Sequence, residues 1–210
     1  MSTAPTARHS GVTRILHGLL MLAVLWQLIG SNFIQRPKVG RVANGMYEAH
    51  EVVGLATLGL VVAFWIWALV RRGETPVGAL FPWFSAQRLK AVKDDAVRYL
   101  RAARHLSLPD EGDNTPLASA THGLGLLAAL AMGSSGAWLF TMAIPGGTVM
   151  QFHKFMATFM WAYVVGHAGL ALLHQSLGHP VLQRMFGRLP APAADAPAPQ
   201  RATQAGAHGR

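Results

Sequence analysis

Between Asn114 and His153 the chain carries no Asp, Glu, Lys or Arg, and three other stretches are nearly as apolar. Ile15 to Gln35 runs 21 residues without a charge. Met46 to Val70 is stopped by Arg71 and Arg72, and the opening half of 114–153 supplies a span over about Leu117 to Thr141. The fourth is Gln151 to Gln175. Each is long enough to cross a bilayer as a helix, which takes about 20 apolar residues. Lipid offers no hydrogen-bond partner to the backbone, so such stretches must satisfy it internally. The expected fold is therefore all-α: an integral-membrane four-helix bundle, up-down-up-down. The composition agrees, with 51% hydrophobic and 13% charged residues and a mean hydropathy of +0.29. A soluble domain is nearer about 25% charged.

The connections divide the chain into an N-terminus (1–14), a four-span unit (15–178) and a Pro/Ala-rich tail (179–210) expected to be disordered from Pro190. The first span competes with a signal peptide, but its apolar run exceeds a signal core and no small-x-small cleavage site follows. A short loop, Arg36 to Asn44, joins spans one and two, and Pro145-Gly146-Gly147 makes a tight uncharged turn before span four. The long connection at 71–116 contains Ser85 to Leu106, with Ser85 as N-cap. There Leu89, Val92, Ala96, Leu100 and Ala103 recur at helical spacing among Arg88, Lys90, Lys93, Arg98, Arg101 and Arg104. This reads as a basic amphipathic helix, either at the membrane surface or packed on a partner subunit.

The net charge of +9 is distributed unevenly. The N-terminus (two), the long connection (eight) and the tail (four) carry fourteen of the eighteen Lys and Arg. The first loop carries three and Lys154 is the last. Positive loops stay inside, so both termini and the long connection should face the cytoplasm of a bacterial inner membrane. The basic residues do not interleave with aromatics, which argues against nucleic acid as a partner. The sequence has no cysteine, so disulfides, thiolate metal sites and covalent attachment of c-type haem are excluded.

Histidine inside a bilayer is costly and marks function. Span four holds His153, His167 and His174, at gaps of 14 and 7 residues, on roughly one helix face. His153 and His167 are about 21 Å apart along the axis at 1.5 Å per residue. By topology His17 and His167 lie at the cytoplasmic level, and His50 and His153 at the outer level. Two pairs at two depths suit the axial positions of two haem irons wedged between helices. Zinc would want three or four ligands, and copper added Met or Cys. Gly18, Gly54, Gly133, Gly136, Ala157 and Ala171 fit beside a flat macrocycle or, equally, serve ordinary helix packing.

The pattern resembles the bacterial cytochrome b561 family and its relatives, the b-type cytochrome subunits of nickel–iron hydrogenases and formate dehydrogenases. It is carried by RILHG (His17), YEAHE (His50) and FHKF…VGHAG (His153 and His167), and covers about residues 8–178. The stretch Asp113-Asn114-Thr115-Pro116-Leu117 is similar to a G-H-N-P-L motif of some members, but Asp113 replaces its His and Thr115 is inserted, so no role is taken from it. The resemblance implies two non-covalent haem b groups, ligated by His17/His167 and His50/His153. It also implies electron transfer between a quinone pool and a dehydrogenase, hydrogenase or cytochrome c. Membrane lipid surrounds such a protein, and a homodimer is left open.

Other residues keep two readings. Arg14 and Lys154 are candidate contacts for haem propionates or span anchors. His122 and His174 are candidates for an alternative ligand, a quinone or proton role, or a local hydrogen bond at the interface. Glu51 is read as interfacial rather than as orienting His50. His9, His105, His179 and His208 are expected on the solvent side. Met21, Met132, Met142, Met150, Met156 and Met160, like Trp26, Trp65, Trp67, Trp138 and Trp161, are read as packing or interface residues. The competing function is a four-span proton or metal transporter using intramembrane histidines. A structural anchor that has lost its haems is the third reading, opposed by the four paired histidines.

Overall fold

The computed structural model describes residues 9–72, 74–104, 115–178 and 181–187. His105, His179, His208, Asp113, Asn114 and the tail from Pro190 lie outside the described residues. Four long helices make the bundle: α1 (Gly11–Gly30), α2 (Gly45–Val70), α5 (Pro116–Phe140) and α6 (Gly147–Ser176). Between α2 and α5 lie a one-turn helix α3 (Val77–Leu80) and the amphipathic α4 (Ala86–Arg104), and α7 (Val181–Phe186) follows α6. All four long helices are long and apolar enough to span a membrane. Among the described residues the only β pairing is a bridge between Lys38 and Arg41.

The ends of these helices follow local chemistry. Ser10 caps α1 by accepting from the Thr13 amide, and Asn44 caps α2 by accepting from Tyr47. Asn44 also accepts from the Gln35 amide at 2.9 Å and donates to the Phe33 carbonyl at 3.0 Å, pinning the α1–α2 hairpin. Gly40, at φ +74°, makes its turn. Thr115 caps α5, with Pro116 at the first helical position, where a missing N–H costs nothing. Gly147 opens α6 at φ +66°, a conformation that a residue with a Cβ avoids.

Close backbone packing runs α1 to α2, α2 to α5 and α5 to α6; α6 does not pack its backbone closely on α1 or α2. The core is Leu28, Val61, Ala128, Ala129 and Met160, one or two residues from each long helix. Met160 lies midway between His153 and His167, so this apolar plug separates the two histidine levels. Burial is unequal: 39% of the apolar window of α5 is buried, against 11% of that of α6.

Two features add to the sequence reading. First, α4 packs on α5 of its own chain, and among its described residues the buried one is Asp95. Asp95 accepts from the Leu117 amide at 2.9 Å and pairs with Arg98, so it caps the start of α5. Burial raises the carboxyl pKa, but the Leu117 and Arg98 hydrogen bonds outweigh it and hold the group below its ordinary value. Leu89 and Leu100 of the expected apolar stripe remain exposed. Second, His9, expected on the solvent side, is half-buried and lies 3.5 Å from Glu74.

The segment 77–84, a connection by sequence, packs against α5 and α2. The Leu80 carbonyl presses on α5 where Gly123 has no side chain. Phe81 stacks on Trp65 of α2 at 4.8 Å and 9°.

Candidate functional site

With helices alternating in direction, the start of α1 and the end of α6 share one face of the bundle. His17 and His167 lie toward that first face. The starts of α2 and α6 lie toward the second, with His50 and His153. The two pairs that sequence depth suggested are the pairs the fold brings together. Ring centres are 6.4 Å apart for His17 and His167, and 6.4 Å apart for His50 and His153. The ring planes differ, at 57° and 89°. Both pairs reach from α6 toward a helix that α6 does not closely pack against.

These residues fit a haem iron. With a metal–imidazole bond of about 2.0–2.1 Å and a ring centre roughly 1.1 Å behind the nitrogen, two imidazoles in line through one metal ion have centres about 6.3 Å apart. The Nδ1 atoms of His17 and His50 are buried without a hydrogen-bond partner in the protein, which is costly for a ring without a further role. Among the described residues no three His, Asp or Glu side chains gather as a metal group. Paired imidazoles suit an ion whose remaining donors come from a macrocycle.

Further residues surround the pairs. Ser135 of α5, only 6% exposed, lies with its Oγ 2.9 Å from His153 Nδ1 and donates to the Met132 carbonyl at 2.9 Å. Gln27 of α1 donates to the His50 carbonyl at 2.9 Å and leaves its own Oε1 buried and unpaired. Sequence reasoning missed both. The visible signal was a Gln within the first span and a Ser-Ser step within the third. Near the first face, the His122 ring centre is 5.2 Å from that of His167 at 81°, and Tyr163 stacks parallel on His167 at 5.5 Å. His174 is half-buried, with Tyr99 of α4 at 6.2 Å.

The candidate glycines divide. Gly136 receives the His153 ring, Gly133 receives Leu58 and Gly54 receives the Gln27 amide, whereas nothing approaches Gly18. Arg14 donates to the Met185 carbonyl at 2.7 Å and to that of Gly187, closing the end of α7, and Lys154 is exposed. Phe186 of α7 comes within 6.4 Å of His17.

Fold and site together define a class: a four-span, all-α membrane protein with two histidine pairs stacked through the bundle. Comparison with known protein families matches residues 8–188 to Prokaryotic cytochrome b561. The chain belongs to this family. It is a multi-pass b-type cytochrome of a bacterial membrane, and it works in electron transfer with haem b as its cofactor. Searches of curated proteins and of solved structures return no match.

Proposed function

We propose that this chain is a di-haem cytochrome b that passes electrons between a quinone pool and a redox partner in a respiratory chain. The partner is a dehydrogenase, a hydrogenase or a cytochrome c. His17 and His167 hold one haem toward the cytoplasmic face, and His50 and His153 hold the other toward the outer face. The observation that carries the reading is the equal 6.4 Å spacing of two imidazole pairs at two depths. When bound, haem supplies reversible one-electron chemistry. The protein supplies the rest. Four neutral imidazoles offer ligands without adding charge to the bilayer. The Leu28–Val61–Met160 core keeps the space between the levels dry. The fourteen cations of the termini and the long connection support their cytoplasmic placement. Arg14 and Lys154 are proposed as propionate partners. His122 and His174, at the cytoplasmic end, are the residues proposed to serve quinone or proton exchange.

A reduced-minus-oxidised optical spectrum of the purified protein, with haem counted per chain, tests this. Two b-type haems per chain are expected. His17→Ala and His50→Ala should each remove a different one. Loss of the same haem in both variants would overturn the pairing.

A further inference from the structure

The helix that contributes to neither pair, α5, reaches both paired histidines of α6. Toward the second face, the Ser135 hydroxyl donates its only proton to the Met132 carbonyl, which can only accept. The same oxygen lies 2.9 Å from His153 Nδ1 and, with its proton on Met132, is the acceptor there; the Met132 carbonyl also bonds the His153 ring and can likewise only accept. His153 therefore carries its proton on Nδ1 and keeps a lone pair on Nε2. The ring lies against Gly136, where a Cβ would sit 3.2 Å from Cε1.

Toward the first face the same logic applies to His122. Its Nδ1 lies 2.7 Å from the Ala118 carbonyl, so Nδ1 is the donor and Nε2 holds the lone pair. The His122 and His167 ring centres are 5.2 Å apart, edge to face, against 6.4 Å within each pair. That is too close for two rings in line through one ion and right for neighbours side by side. The spacing on α5, 13 residues from His122 to Ser135, matches the 14 from His153 to His167 on the antiparallel α6. One helix thus meets one α6 histidine at each level.

We propose that α5 orients both ligands of α6, with Ser135 the positioning residue for His153 and His122 that for His167. At His153 the Ser135 oxygen, its own proton anchored to the Met132 carbonyl, holds the ring's Nδ1–H; at His167 the edge-on His122 ring, 5.2 Å away with its own Nδ1–H anchored to Ala118, stands where it can do the same. This leaves Nε2 as the ligand. An acceptor at that position fixes the tautomer and makes the imidazole a stronger donor. A stronger donor favours oxidised iron and lowers the reduction potential.

The inference rests on the two-haem reading, and one redox titration of the purified holoprotein separates the two. Fewer than two haems in the wild type would sink that reading. With two present, Ser135→Ala should raise the potential of the haem that His50→Ala removes and leave the other in place. Ser135→Thr should restore it. His122→Phe should raise only the haem that His17→Ala removes, and His122→Gln, which keeps an acceptor oxygen, should bring it back. EPR of the oxidised haems gives a second readout, because ligand orientation and proton sharing set the g-values. Two retained haems with unmoved potentials and g-values in both α5 variants would overturn the proposal. Should Ser135→Ala fail to load haem, the Thr variant decides: wild-type potentials support the proposal, and an upward shift of the outer haem refutes it.

Discussion

Glu74 shows how single side chains fasten this bundle outside the lipid. It follows α2, yet its carboxylate accepts from Thr13 Oγ1 at 2.8 Å and from the Ser10 amide at 3.3 Å, tying α2 back to the start of α1. Arg71 pairs with it at 3.3 Å, and Trp67 donates to the same Thr13 hydroxyl at 2.8 Å. Burial raises the carboxyl pKa, but the Ser10 and Thr13 hydrogen bonds and the Arg71 charge together hold it below the ordinary 4.5. A carboxyl lowered on folding adds stability that is present above its unfolded value and lost as pH falls through its folded one. Glu74→Gln should therefore lower stability near neutral pH by about 1–3 kcal/mol, the cost of removing hydrogen bonds to a buried charge. Thermal unfolding in detergent should show the gap between variant and wild type closing below pH 4.5. A gap independent of pH would refute this account. Nothing in the sequence pointed to Glu74, because the partners that tie it to α1, Ser10 and Thr13, are more than sixty residues away.

At the scale of elements, α5 is the hub. It packs on α2, α3, α4 and α6, and has the largest buried share of the four spans. Its small residues make this approach feasible, each toward a different neighbour. At Gly123 an added Cβ would meet the Leu80 carbonyl, which is backbone and cannot turn away. At Gly133 it would meet Leu58 Cδ1 at 2.9 Å, which can rotate, and Leu58 Cβ at 3.1 Å, which needs to give by only a few tenths of an ångström. Overpacking costs about 1–3 kcal/mol where neighbours cannot yield. Gly123→Ala should cost at least that, and Gly133→Ala clearly less. Melting of the two variants side by side checks the order, and equal losses would count against the backbone contact. The span boundaries were legible, since charge and hydropathy mark them within a few residues. The α3 segment was not, because its apolar residues are too few to show a period and matter only through α5.

For the whole molecule, orientation is the property to test. A chain without cysteine allows labelling at single introduced thiols with no background. Val39, 94% exposed at the tip of the α1–α2 hairpin, and Arg101, exposed on α4, should lie on opposite sides of the membrane. A maleimide that does not cross membranes should label Val39→Cys in intact cells with a permeable outer layer. Arg101→Cys should react only after lysis. The opposite pattern would invert the topology and place His17 and His167 at the outer level.

What the sequence by itself determined is the one-dimensional part: four spans, their alternation, and histidines sorted to two depths. Helical rise and the cost of charge in lipid act along the chain, so spacing alone carries them. Tertiary structure decided which helices adjoin. It set α5 rather than α1 or α2 against α6, brought each imidazole pair to 6.4 Å, and gave Ser135 and Gln27 their places beside His153 and His50. Those contacts join residues far apart in the chain. They follow from how apolar faces and small residues fit between helices, which no single stretch of sequence displays.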